Sequence, residues 1–130
     1  MSNRKHMPDE RPSITKKLII QCASQEIQTE ESVKLYIQVG LYPDTNLPGE
    51  IFLKTDRMGS TISGLLDALS MSISVALQAG VPLSWFVSKL KNLQFEPSGP
   101  TNDPRIRRAT SLVDGIAKWL EYRFPETPTS

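Results

Sequence analysis

The sequence is poor in the residues on which most enzyme chemistry depends. It contains one cysteine, Cys22, and one histidine, His6, in 130 residues. A single cysteine cannot form an internal disulfide or a dithiol redox pair, and this favours a cytoplasmic location. His6 lies in a polar stretch without neighbouring ligands, so we expect no metal site and no cofactor. Walker and dinucleotide-binding motifs are also absent, and we therefore expect a protein that is not an enzyme.

The sequence lacks a strong excess of charge of either sign. Its formal net charge is +1 at pH 7, with 15 Lys and Arg against 14 Asp and Glu. Proteins that bind duplex nucleic acid through a basic body carry a larger positive charge, so we do not expect nucleic acid as a partner. A composition of 38% hydrophobic and 22% charged residues is that of a globular domain with one core.

No apolar run is long and uninterrupted enough to indicate a membrane partner. Residues 61–79 approach the length of a span, but Asp67, Gln78 and four serines interrupt the run. We interpret it as a buried helix whose serines permit close packing. We expect residues 1–13 to form a disordered arm, residues 14–124 a single domain and residues 125–130 a disordered tail.

Three segments in the first half are typical of strands. Apolar and polar residues alternate between Val33 and Val39, and shorter apolar runs occupy residues 18–20 and 51–53. Turn-forming residues at positions 43–49 predict a hairpin with a long loop. The sequence therefore predicts an α+β fold that begins with a small antiparallel sheet of about three strands.

The second half predicts two long helices and a shorter connecting helix. Residues 61–79, ended by Gly80, carry apolar side chains all around the axis and are expected to be the most buried element. The connecting helix is expected to bury Trp85, Phe86, Leu90 and Leu93. Asp103 before Pro104 predicts the start of the last helix. Its apolar stripe is core or subunit interface and comprises Ile106, Ala109, Val113, Ile116 and Leu120.

Five ordered motifs resemble the TSCPD domain. They are GEIFLK at 49–54, GST at 59–61 with GLLDA at 64–68, AGVPL at 79–83, FEPSG at 95–99 with ND at 102–103, and ATS at 109–111 with Asp114. That domain is similar to the C-terminal module of adenosylcobalamin-dependent ribonucleotide reductases. The resemblance implies the fold and a nucleotide-like ligand. It also implies that this chain alone is not a reductase, because it lacks the barrel and the cysteines that carry that chemistry.

The first candidate ligand site comprises Lys54, Arg57, Gly59, Ser60 and Thr61. Free amides at a helix start, with hydroxyls and two cations nearby, suit a phosphate group. The alternative is that Ser60 or Thr61 only caps the helix while the two cations are solvated.

The second candidate ligand site comprises Phe95, Ser98, Asn102, Arg105 and Arg108. Phe95 suits stacking on a base, and Asn102 suits hydrogen bonding to a base or sugar edge. On a helix Arg105 and Arg108 would share a face and bind phosphate, whereas Arg107 would point elsewhere. The alternative is a rigid connector in which Phe95 lies in the core and the arginines pair with acids.

These sites suggest a protein that binds a nucleotide or another phosphate-bearing small ligand without turning it over. Wide apolar helix faces predict a homo-oligomer, at least a dimer. Such a protein would sequester a nucleotide signal or serve as an accessory module related to ribonucleotide reductase. The alternative is a protein-interaction module that docks on a larger enzyme and binds no small molecule.

Overall fold

A computed structural model describes residues 5–23, 30–56, 60–95 and 97–125 of the chain. These residues form an α+β fold, as the sequence predicts. In chain order its elements are β1 (Ser13–Ala23), β2 (Glu30–Leu41), β3 (Pro48–Thr55), α1 (Ser60–Gln78), α2 (Leu83–Leu90), β4 (Gly99–Pro100), β5 (Arg108–Ala109) and α3 (Leu112–Arg123). The first three strands form an antiparallel sheet in the order β1-β2-β3, and β4 pairs with β5.

The hairpin between β2 and β3 confirms the predicted long loop. The Tyr42 amide donates to the Leu47 carbonyl at 2.9 Å, which closes the turn. Asn46 adopts a φ of 63°, a left-handed conformation that asparagine tolerates better than most residues. In β2 the odd-numbered residues from Val33 to Val39 are buried, so the alternation in the sequence is that of a strand with one covered face.

The chain divides into two compact units. The first contains Met1–Lys17 and Tyr36–Leu83, and the second contains Leu18–Leu35 and Ser84–Ser130. The predicted single domain over residues 14–124 and the predicted tail stay predictions.

In the first unit, α1 covers the free edge of β3 with polar side chains. The Ser74 hydroxyl accepts from the Ile51 amide at 2.9 Å, and the Ser70 hydroxyl accepts from the Leu53 amide at 3.0 Å. The Gln78 side-chain amide donates to the carbonyl of residue 49 at 3.0 Å. Side chains four apart share one helix face, so α1 satisfies backbone groups that an edge strand otherwise leaves open.

The prediction that this helix is the most buried element is wrong. Leu65, Met71 and Val75 are 63%, 67% and 51% exposed, whereas Ile73 is fully buried. One face of α1 packs on β3, so apolar residues on the opposite face remain at the surface. By length and composition alone, residues 61–78 would also suffice to cross a membrane.

The described part of the predicted arm is attached to the first unit. The Lys5 amide donates to the Gln78 carbonyl at 2.8 Å, and the Tyr42 hydroxyl donates to the Lys5 carbonyl at 2.8 Å. Arg11 pairs through two nitrogens with the carboxylate of Glu50. Residues 5–12 thus follow a defined path without forming a helix or strand.

In the second unit, α3 is the best-buried helix among the described residues. Its buried side chains include Leu112, Ile116, Trp119 and Leu120. A Cβ built on Gly115 would lie 3.0 Å from Leu18 Cδ2, so glycine lets the helix approach β1 closely. Trp119 is therefore a core residue of the chain.

The predicted start of the last helix at Asp103 is wrong. The Asp103 side chain accepts from the Arg105 amide at 2.9 Å, and its carbonyl accepts from the Ile106 amide at 2.9 Å. This local turn leads into β5, and α3 begins only after Ser111, whose hydroxyl accepts from the Asp114 amide. A serine cap with an acidic residue three positions later is the stronger start signal.

The corrected helix start also changes the predicted stripe. Ile106 and Ala109 are buried, but they precede α3 and do not share a helical face with Ile116. The face predicted for the connecting helix is wrong as well, because α2 buries Val87 while Trp85 is 50% exposed. In a helix of eight residues the apolar pattern is too short to identify the covered face.

Candidate functional site

A cavity of about 440 Å³ opens at the surface of the second unit. We call it the Arg108 pocket, and its described lining consists of Gln94, Phe95, Ser98, Arg108 and Thr110. Phe95, Ser98 and Arg108 belong to the second site predicted from the sequence, so the fold brings three of its five residues together. Gln94 and Thr110 were not predicted.

The pocket is built from two chain segments that run side by side. β4 pairs with β5 so that Pro100 faces Arg108, and this register brings Ser98 to the same side of the unit as Arg108. The Phe95 amide donates to the Thr110 carbonyl at 3.1 Å. The Thr110 hydroxyl donates to the Leu93 carbonyl at 2.8 Å. The backbone therefore fixes the spacing between the residue pair 94–95 and Arg108.

The buried carboxylate of Asp114 holds both segments to α3. It accepts from the Asn92 amide at 2.6 Å and from the Thr110 amide at 2.9 Å. Lys118 Nζ lies 2.8 Å from the same carboxylate and donates to the Arg108 carbonyl at 3.1 Å. One charge pair thus anchors the backbone of the segments that line the pocket.

These contacts also set the protonation of Asp114. Burial raises the pKa of the carboxyl, because it disfavours the charged form. Hydrogen bonds from Lys118 and from the amides of Thr110 and Asn92 lower the pKa by more, so it lies below the ordinary value of 3.8. Asp114 is therefore charged in the folded protein at neutral pH.

Two functional groups of the pocket make no hydrogen bond or ion pair with the described part of the chain. They are the guanidinium group of Arg108 and the side-chain amide of Gln94. Both residues are exposed, and Phe95 is 48% exposed. A cation and an amide that no described residue engages, next to a half-exposed ring, form a surface that can bind an anionic, aromatic small molecule.

The remaining two residues of the second predicted site are engaged elsewhere in the unit. The Asn102 side-chain oxygen accepts from the Ile19 amide at 2.8 Å, and the Asn102 amide donates to the Ile19 carbonyl at 3.1 Å. Arg105 lies 4.2 Å from the ring centroid of Tyr122, a cation–π contact. The prediction that Arg105 and Arg108 share a helical face is wrong, because Arg105 is in a turn and Arg108 is in β5.

The first predicted site is only partly described. Lys54 is exposed on β3, and Thr61 is exposed in the first turn of α1. Arg57, Gly59 and the side chain of Ser60 lie outside the described residues. This site stays a prediction.

Two signals in the sequence could have identified the missed residues. Thr110 lies in the motif at 109–111, which is followed by Asp114. This order indicates that Thr110 and Asp114 belong to the same loop and helix cap. Gln94 directly precedes Phe95 on a segment held out of regular structure by Pro97. In the described ranges, no group of three His, Cys, Asp or Glu residues could hold a metal ion.

Comparison with known protein families decides the identity of the fold. The TSCPD domain matches residues 4–124, which include every described residue of the Arg108 pocket. The chain belongs to the TSCPD domain family. No solved structure matches it.

Relatives of this TSCPD domain are named vitamin B12-dependent ribonucleotide reductases. Those of Streptomyces clavuligerus and Rhodopirellula baltica are each 43% identical over 121 residues, which cover 93% of this chain and 11% of each relative. That of Bradyrhizobium diazoefficiens is 31% identical over 125 residues, 95% of this chain and 9% of the relative. The TSCPD chain thus spans about 11% or less of the length of these relatives and corresponds to one part of a reductase.

Proposed function

We propose that this TSCPD chain is a non-catalytic protein that binds a nucleotide in the Arg108 pocket. The observation that carries the proposal is the presence in one pocket of the Arg108 guanidinium group, which pairs with no described residue, and the half-exposed ring of Phe95. A nucleotide has a phosphate that can bind the guanidinium group and a base that can stack on the ring. Its size also suits the cavity, whose volume of about 440 Å³ is within the range of small-molecule sites.

The chemistry of the two groups and the backbone that carries them support this assignment. Guanidinium binds phosphate through two parallel hydrogen bonds, and these are stronger than bonds between neutral groups. Stacking of a base on an aromatic side chain contributes about 1–3 kcal/mol in proteins that bind single strands. Because hydrogen bonds fix the spacing of residues 94–95 and 108, little order has to be gained on binding.

The described lining also supports binding without turnover. Its side chains are a carboxamide, a ring, two hydroxyls and a guanidinium group. General acid–base catalysis uses groups that exchange protons near neutral pH, most often imidazole or a carboxylate with a shifted pKa. The carboxylate of Asp114, which accepts from the amide of the lining residue Thr110, is buried and holds backbone amides.

The relatives support the ligand class. They are named ribonucleotide reductases, and the substrates of a ribonucleotide reductase are nucleotides. Two biological roles fit a binding module of this kind. It would either serve a reductase as an accessory part or sequester a nucleotide signal on its own. A cytoplasmic location belongs to the same proposal, since the chain has a single cysteine.

We extend the proposal to a homo-oligomer, at least a dimer. The apolar face of α1 formed by Leu65, Met71 and Val75 supports it, because contiguous exposed apolar surface marks association sites. This face is distinct in sequence from the residues of the Arg108 pocket.

The test is titration calorimetry of the wild-type chain with a panel of nucleotides. We expect the wild type to bind a nucleotide and Arg108→Gln to bind it about tenfold to a hundredfold more weakly, because the variant loses a hydrogen bond to a charged group. Arg107→Gln is the matched control, because Arg107 is exposed nearby and does not line the pocket. Equal weakening in both variants, or no binding of any nucleotide to the wild type, overturns the proposal.

The second candidate function is docking on a larger enzyme without a small ligand. The same exposed face of α1 favours docking, since the chain corresponds to one part of much longer relatives. The test of this alternative is capture of the wild-type chain by a reductase in a pull-down experiment. Loss of capture in Met71→Lys, together with no nucleotide binding by the wild type, would support it.

A further inference from the structure

We infer that the ligand of the Arg108 pocket is an adenine nucleotide with a single phosphate group, whose base is recognised by Gln94. This inference rests on the proposed function and adds the chemical class of the ligand. It follows from three features of the described pocket: its charge, the side-chain amide of Gln94, and the spacing between Gln94 and Arg108 that backbone hydrogen bonds fix.

The charge of the pocket limits the number of phosphates. Arg108 is the one cation among the described lining residues. Lys118 is close in sequence, but its ammonium group already contacts Asp114 and the Arg108 carbonyl. Chains of two or three phosphates usually require several cations or Mg²⁺ held by carboxylates, and the described lining contains no carboxylate. One guanidinium group suits one phosphate, as a monoester or a diester.

The side chain of Gln94, which makes no hydrogen bond with the described residues, favours one purine over the other. Its carboxamide presents a donor and an acceptor side by side. Adenine presents the complementary pair on its Hoogsteen edge, the N6 amino group beside N7, and glutamine binds this pair through two hydrogen bonds. On the same edge guanine presents two acceptors, N7 and O6, so the carboxamide can satisfy only one of them. Adenine is therefore the purine whose Hoogsteen edge uses both groups of Gln94.

The position of Gln94 beside Phe95 links base recognition to stacking. The Phe95 amide is held by the Thr110 carbonyl, and the Leu93 carbonyl accepts from the Thr110 hydroxyl. These bonds tie both sides of Gln94 to the segment that carries Arg108. The base contacts and the phosphate contact are consequently set by one backbone frame.

The experiment is calorimetry of the full chain with AMP, GMP, ATP and adenosine. We expect AMP to bind at least about tenfold more tightly than GMP and adenosine, and no more weakly than ATP. In Gln94→Leu the preference for AMP over GMP should disappear. Gln38→Leu is the matched control, since Gln38 is exposed on β2 in the other unit. Both variants should keep the thermal transition of the wild type, because both side chains are at the surface.

The outcomes separate this inference from the proposed function. Equal affinities for AMP and GMP that both depend on Arg108 would contradict base recognition by Gln94 while leaving nucleotide binding intact. ATP binding far more tightly than AMP would contradict a single phosphate. If none of the four compounds binds the wild type, the proposed function fails and this inference fails with it.

Discussion

The carboxylate of Asp114 accepts a hydrogen bond at 2.6 Å from the backbone amide of Asn92, 22 residues earlier in the chain. Asn92 has a φ of 71°, so the chain reverses there immediately after α2. The same carboxylate accepts from the Thr110 amide. Asp114 thus joins the turn that leads into the Arg108 pocket to the strand that carries Arg108, and it does so from the first turn of α3.

Replacing Asp114 with asparagine should destabilise the fold. The amide keeps the size of the side chain but removes its charge, and it cannot accept at both oxygens. Hydrogen bonds to a charged group contribute about 1.5–3 kcal/mol, so we expect the free energy of unfolding to fall by about that amount in urea titration. Asp67→Asn is the control, because Asp67 is exposed on α1. Similar stability of Asp114→Asn and the wild type would contradict the anchoring role.

The lowered pKa of Asp114 should appear in the dependence of stability on pH. Since its pKa in the folded state lies below the ordinary value of 3.8, the folded state binds fewer protons than the unfolded state in this range. The stabilisation is present above about pH 4 and is lost as the pH falls through the folded-state pKa. Urea titrations between pH 7 and pH 3 should show a steeper decline in the wild type than in Asp114→Asn. Parallel curves would mean that other carboxyls cause the decline.

Two serines on α1 provide a matched test of how the helix covers β3. Ser70→Ala removes the acceptor of the buried Leu53 amide and should lower the free energy of unfolding by about 1–3 kcal/mol. Ser72 is exposed and donates to the Ala68 carbonyl within its own helix, so Ser72→Ala should change stability by less than about 0.5 kcal/mol. Thermal or urea unfolding of the pair measures the difference. Equal effects would show that the edge contact contributes nothing specific.

The exposed face of α1 should respond to charge if it mediates self-association. Met71 is 67% exposed, so Met71→Lys should fold normally while the mass measured by light scattering falls towards that of the monomer. Phe52→Lys introduces the same charge on β3 at a side chain that is 45% exposed, and it should leave the mass unchanged. A monomeric wild type at micromolar concentration would contradict the oligomer directly.

The sequence predicted the sheet because its signals there are local and consistent. Alternation from Val33 to Val39 and the turn residues before β3 specify both strands and their connection. The same reasoning failed for α1, because apolar residues around a helix do not show which of them are covered in a single chain. The polar contacts of Ser70 and Ser74 to β3 depend on a pairing that no local pattern encodes.

The pocket was predicted in part for a related reason. Phe95, Ser98 and Arg108 were selected because aromatic, hydroxyl and cationic side chains suit a nucleotide wherever they lie. Asn102 was selected on the same basis, but its side chain pairs with the Ile19 backbone across 83 positions of the chain. A helix that starts at Asp103 would place Arg105 and Arg108 on a common face. The β4–β5 pairing places Arg108 in a strand instead. Residue type suggested the chemistry, and tertiary contacts decided which residues meet.

The measurement that tests the central claim most directly is an NMR titration of the ¹⁵N-labelled chain with AMP. If the Arg108 pocket binds the nucleotide, the amide signals of Phe95 and Thr110 should shift with the concentration of AMP, and those of Ile51 and Leu53 should stay in place. In Arg108→Gln the same shifts should require about tenfold to a hundredfold more AMP. Shifts confined to residues 54–61, or none at all, would contradict the account.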